Sequence, residues 1–143
     1  MIAYLSRGRY GILYILIASL LLRLVIACFT NFGIDEVYYV LYGLFPDWSY
    51  FDHPPMIALL IRFTTLDMQL WDELFLRLGP LMIGAINIYL LYYLGDLLKD
   101  RQTGIFAAFF VCASVYASVI IGVFILPDTP QSLFWLLSLI VFV

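Results

Sequence analysis

Three short stretches carry carboxylates that could do acid–base chemistry: Asp35-Glu36, Asp52-His53-Pro54-Pro55, and Asp128 within Pro127-Asp128-Thr129-Pro130. A carboxylate in a partly desolvated pocket holds its proton more tightly and can take one from an attacking hydroxyl. Three arginines, Arg23, Arg62 and Arg77, offer the complementary chemistry. A planar guanidinium grips two phosphate oxygens at once, which a developing phosphate leaving group needs.

Each group also has an ordinary use. Asp35 reads as a helix cap, with Glu36 complementing the dipole after a turn at Gly33. Asp52 is different. As a cap of the next helix it would accept from the N–H groups of Pro54 and Pro55, which have none. Its ordinary use is then a salt bridge to Arg62 or Arg77. His53, the single histidine, either donates to an anionic group or satisfies a loop carbonyl. Asp128 with Gln131 has the spacing of a capping box, and Pro130 suits a first turn. Arg23, Arg62 and Arg77 either snorkel to the interface or pair with a carboxylate or a lipid phosphate. Tyr38, Tyr39, Tyr42, Trp48, Tyr50 and Trp71 are interfacial anchors first. Stacking on a sugar is their second use, and Tyr39 is the candidate for it.

Membrane elements must position these groups. Of the 143 residues 65% are hydrophobic and 12% charged, against roughly 45–50% and 25% in soluble domains. Mean hydropathy is +1.04. A soluble enzyme and a disordered chain are excluded. A net charge of −3 also argues against a nucleic-acid partner. Cys28 and Cys112 lie in apolar runs and read as small hydrophobes rather than as a disulfide or a metal pair.

Spans are expected at Tyr10–Phe29, Leu78–Leu98 and Gly104–Leu126, with a fourth begun at Ser132–Val143. That last stretch ends after about 12 of the roughly 20 residues a span needs, so the chain reads as the N-terminal part of a larger protein. The first span is too long for a signal h-region and reads as a retained anchor. Pro54–Leu66 is too short and carries Arg62, so it is expected to lie in the interface. Arg7 and Arg9 then place the N-terminus in the cytoplasm beside Lys99 and Arg101. The outer loop, residues 30–77, holds seven of the ten acidic residues. It should form two surface helices, Asp35–Phe45 and one opened by Pro54 or Pro55, joined by an aromatic turn.

Asp35-Glu36-Val37-Tyr38-Tyr39, Tyr50-Phe51-Asp52-His53-Pro54-Pro55-Met56, Arg77-Leu78-Gly79-Pro80 and Leu126-Pro127-Asp128-Thr129-Pro130 follow in that order. This order resembles the polytopic glycosyltransferases related to protein O-mannosyltransferases and lipid A aminoarabinose transferases. The resemblance implies an all-α, GT-C-type transmembrane bundle in a bacterial inner (plasma) membrane. It implies transfer of a sugar from a polyprenyl-phosphate carrier to a lipid, glycan or protein acceptor on the outer face, with inversion. Asp35 matches the first-loop aspartate taken as catalytic, and Asp128 the aspartate at the start of the fourth span. Asp52-His53 sits where the aminoarabinose transferases have an acidic residue followed by lysine. Asp35, Asp52 and Asp128 are therefore the expected catalytic residues, and Glu36, Tyr39, His53, Arg62 and Arg77 the expected substrate contacts. A divalent cation between carboxylates is the alternative stabiliser of the leaving phosphate. Two rival functions remain. A transporter or flippase fragment should show helices broken at mid-membrane. A non-catalytic assembly subunit would need only the interfacial helices.

Overall fold

The computed structural model describes residues 2–143, with side chains described from Tyr10 onward; the side chains of Arg7 and Arg9 lie outside the described residues. The described chain is helical throughout. It runs α1 (Ile2–Phe29), α2 (Ile34–Leu44), α3 (Met56–Thr64), α4 (Glu73–Leu98), α5 (Arg101–Ala113), a π-helical turn (Tyr116–Ile120), a single turn α6 (Ile121–Val123) and α7 (Asp128–Phe142). Two segments are long and apolar enough to cross a membrane, Tyr10–Phe29 and Glu73–Leu98. α4 is the central post: α1, α3, α5, α6 and α7 all pack on it.

The expected third span is not a straight rod. α5 and the stretch Tyr116–Val123 meet at a 79° bend. The cause is local. Ser114 takes an extended conformation (ψ 118°) at the end of α5, and its hydroxyl accepts from the Ala117 N–H at 3.3 Å. A serine side chain that replaces a helical carbonyl as acceptor lets the backbone turn away, and a π-helical turn follows at once. The broken helix expected of a transporter is thus present on this span, at a serine rather than a proline.

At one end of α4, Asp72 caps the helix by accepting from the Leu74 N–H at 2.9 Å. Cap and first turn pull residues 73–77 out of the loop, so Arg77 stands on α4 itself. At the other end, about 39 Å away for 26 residues at 1.5 Å each, α5 turns back under the cap of Asp100. Gly95 and Gly104 make that hairpin close: a Cβ on Gly104 would lie 2.3 Å from the Tyr92 carbonyl oxygen. Small residues are what allow membrane helices to approach so nearly.

Two surface helices form as expected, within two residues of their expected starts. They pack on the beginning of α4 and on the chain entering α7, in one cluster of Tyr39, Val40, Tyr42, Ile57, Ala58, Ile61, Leu76 and Ile125. α3 ends in an unusual turn in which Leu66, Asp67 and Met68 all have left-handed φ, from 49° to 64°. Such φ values cost non-glycine residues free energy, and local bonds hold them. The Thr65 hydroxyl accepts from Met68 N–H at 3.0 Å, and Asp67 N–H reaches the Arg62 carbonyl at 2.7 Å.

Candidate active site

The shared cluster of α2, α3, α4 and residue 125 brings Asp35, Asp52 and Asp128 to the same end of the bundle. One phenol registers all three. Tyr39, 8% exposed, has its pKa raised first by burial and then by the negative charges of Asp52, Asp35, Tyr38 and Asp128. Carboxylates drawn from three separate segments therefore act on one point.

Asp35 does not cap its helix. The cap position is Gly33, and Glu36 reaches back to accept from the Gly33 N–H at 3.0 Å. Asp35 is left exposed, with no hydrogen bond or ion pair to the described residues. It stands on the wall of a mainly apolar cleft of about 430 Å³. One wall comes from Thr30, Asn31 and Ile34, the other from Ile120, Phe124 and Leu126. A free carboxylate beside an apolar cleft at a membrane boundary has the placement a general base requires.

Glu36 and Arg77 form the frame behind that cleft. Arg77 is fully buried and Glu36 nearly so, with side chains 0% and 3% exposed. The guanidinium engages the carboxylate in bidentate fashion, Nε to Oε1 at 2.9 Å and Nη2 to Oε2 at 2.7 Å. Its other donors go to the carbonyls of Ala27 (2.8 Å), Thr30 (2.7 Å) and Asn31 (3.1 Å). Phe32 and Phe124 cover its faces at 4.8 and 5.5 Å. Glu36 also accepts from the Ile125 N–H at 3.3 Å. Every Arg77 group is thus occupied, leaving none for a phosphate. What the pair does is fix the α1–α2 turn, α2, α4 and residue 125 relative to one another, and these segments carry the two walls of the cleft.

Arg62 is likewise committed. It pairs with Asp67 and donates to the Gly43 carbonyl at 3.1 Å, tying α2 to the left-handed turn.

Asp52 pairs with neither arginine. Its Oδ1 accepts from the Tyr42 hydroxyl in a close contact and from the Tyr38 hydroxyl at 3.1 Å. Oδ2 lies 3.1 Å from His53 Nδ1, but out of line for a hydrogen bond. The Tyr42 hydroxyl holds the Asp52 pKa below the ordinary carboxylate range, opposed by burial and helped by the Tyr38 hydroxyl. Burial first, and then the bond to Asp52, push the Tyr42 phenol far above its usual value. Tyr42 stacks flat on Tyr50 at 3.7 Å, and Tyr39 meets the His53 ring edge-on at 5.4 Å. Tyr39 and Tyr42 are buried, so they hold the Asp52 loop rather than anchoring in headgroups. Trp48, at 92% exposure, is free to do so. Tyr38 and Tyr42 as partners of Asp52 were not read from the sequence. Their four-residue spacing puts them on one helix face, and that was the available signal.

Because Asp52 is stabilised as an anion, its contribution to holding this loop should be complete above the ordinary aspartate value of about 4. It should fade as pH falls through the lower folded value. Tyr42→Phe should move that loss to higher pH, measured as the acid limb of a thermal-unfolding profile in detergent. An unshifted limb would show that the tyrosine does not support the charge.

Asp128 begins α7 without capping it: the cap position is Pro127, with no side-chain bond. Asp128 is half-buried, and none of the described residues binds its carboxylate. The Thr129 hydroxyl, donating to the Ile121 carbonyl at 2.8 Å, pins this end of α7 to α6. Among the described residues, no group of three or more His, Cys, Asp or Glu side chains stands close enough to share a metal ion.

Residues 52–143 match the family of dolichyl-phosphate-mannose-protein mannosyltransferases. The match takes in Asp52, His53, Arg62, Arg77 and Asp128, and begins after α2. No curated protein and no solved structure matches the chain closely enough to count. The match spans well over half of the chain, which therefore belongs to this mannosyltransferase family, membrane glycosyltransferases of GT-C type that draw on polyprenyl-phosphate-linked sugars.

Proposed function

We propose that this member of the mannosyltransferase family moves a hexose or pentose from polyprenyl phosphate to an acceptor hydroxyl on the outer membrane face, with Asp35 as the base. The acceptor is a lipid, glycan or protein. The observation that carries this reading is Asp35 standing, without a partner among the described residues, on the wall of the apolar cleft. In the step, the acceptor oxygen bonds to the anomeric carbon and its proton passes to Asp35. The bond from that carbon to the phosphate oxygen breaks, and polyprenyl phosphate departs with the electron pair. Attack opposite the leaving group inverts the anomeric centre. The apolar lining suits the first isoprene units. Asp128, at the start of α7 two residues beyond Leu126 of the cleft wall, is the second carboxylate available to orient acceptor hydroxyls. Asp52 is held as an anion at the same end.

Two measurements test the reading. The intact protein in proteoliposomes should consume a polyprenyl-phosphate sugar and release polyprenyl phosphate; no turnover over a panel of such donors would sink it. The face is tested separately, in a Cys28→Ser background. Cysteine at Gln69 should react with an impermeant thiol reagent from outside, and cysteine at Gln102 should not. Labelling at 102 with protection at 69 would place the site in the cytoplasm.

A further inference from the structure

Among the described residues, one buried cation remains without a hydrogen-bond partner. Arg23 on α1 is 0% exposed, and none of its three guanidinium nitrogens has a hydrogen-bond partner. The Ser19 hydroxyl and the Asn87 Oδ1 are also buried and unpartnered. Ser19 precedes Arg23 by one helical turn, on the same face of α1. Asn87 follows Gly84 by three residues on α4, and Gly84 abuts the guanidinium, since a Cβ there would lie 2.3 Å from Arg23 Nη1. Five of the six unpartnered buried side-chain atoms among the described residues thus belong to this one layer. An arginine so placed inside a membrane span is costly, and its usual justification is function.

The guanidinium is covered on its other side by Gly122, where a Cβ would lie 3.0 Å from Cζ. Ile120 and Phe124, two residues to either side of Gly122, line the cleft that holds Asp35. Arg23 therefore packs against the stretch that carries one wall of the cleft. That stretch leaves the π-helical turn at Ile120, passes through the single turn α6 and becomes extended at Phe124. Meanwhile Arg77, at the same end, has committed all its donors, and Arg62 is paired with Asp67.

We propose that Arg23 is the phosphate-binding cation of the donor site, reaching the polyprenyl phosphate when the wall at 120–126 shifts aside. This rests on the transferase reading and adds the residue that stabilises the leaving group. The developing phosphate charge needs a fixed donor in a water-poor site, and Arg23 is a guanidinium kept dry for it.

The test uses the intact protein in nanodiscs, with polyprenyl monophosphate and the matching polyprenol as probes. Arg23→Met should weaken monophosphate binding at least tenfold and leave polyprenol binding unchanged. Asp35→Asn should bind the monophosphate like wild type while losing turnover. Without lipid, Arg23→Met should melt at or above the wild-type temperature, because it removes an unpaired buried charge; added monophosphate should then raise its melting temperature less than that of wild type. Arg23→Lys, which keeps the charge, should retain more affinity than Arg23→Met. Inorganic phosphate that competes as well as the lipid would reassign the site to free phosphate and overturn the lipid proposal. Equal monophosphate binding by Arg23→Met and wild type would overturn it too, as would a lipid-free Arg23→Met that melts well below wild type, since Arg23 would then be pairing with a carboxylate of another span. If wild type itself fails to bind any polyprenyl monophosphate, the transferase reading falls instead.

Discussion

Asp35→Asn should lower sugar transfer by roughly 10²–10⁴-fold, the usual loss when a general base is removed, with folding and donor binding intact. The separation of effects follows from the local geometry. The helix beside Asp35 is capped by Glu36, so an amide at position 35 removes no structural bond. Nor does Asp35 pair with any cation among the described residues whose charge would be left stranded. Only the capacity to take a proton is lost. The comparison variant is Asp128→Asn, also free of structural bonds, which should lose less if its task is to orient the acceptor. Single-turnover rates with saturating donor distinguish the two. An Asp35→Asn enzyme turning over near the wild-type rate, beside an inactive Asp128→Asn, would transfer the role of base to Asp128.

Why the sequence singled out Asp35 and Glu36 together but did not say which stands free and which is paired is a matter of physics. Composition and apolar run length set the class of fold, because a bilayer admits only backbones that satisfy their own hydrogen bonds. Positions of the two long spans and of both surface helices followed. The two prolines after His53 correctly denied Asp52 a capping role, since that rested on missing N–H groups alone. Partners were harder. Asp35 and Glu36 are adjacent and chemically alike, and on a helix adjacent residues point about 100° apart. One stays exposed and the other is buried against Arg77, and only tertiary packing decides which. The same applies to Arg77, whose partner lies 41 residues away, and to Tyr42, whose hydroxyl meets a loop ten residues on. Ser114 was missed for another reason: serine is common in spans, and whether its hydroxyl bends the helix depends on the neighbours that receive the bend. A proline count does not detect such breaks.

Arg77→Met should be the most destructive single change at this end of the bundle, costing on the order of 3–5 kcal/mol by stranding a buried carboxylate. Glu36 would keep the N–H groups of Gly33 and Ile125 but lose both guanidinium bonds, in a place with no water to replace them. The carbonyls of Ala27, Thr30 and Asn31 would lose their donor as well, loosening the turn that forms one wall of the cleft. Arg77→Lys should rescue little. An ammonium is a compact point charge and cannot span both carboxylate oxygens and three carbonyls from one position. Pairing Arg77→Met with Glu36→Leu should recover part of the loss, because the stranded charge disappears with its partner. A double-mutant cycle on unfolding in detergent measures this as a coupling energy between the sites. Donor affinity supplies the decisive contrast. If the pair is a frame, stability and affinity fall together in Arg77→Met and recover together in the double variant. An Arg77→Lys protein of wild-type stability with donor affinity cut tenfold would mean the opposite: Arg77 would leave Glu36 to grip the phosphate during the reaction.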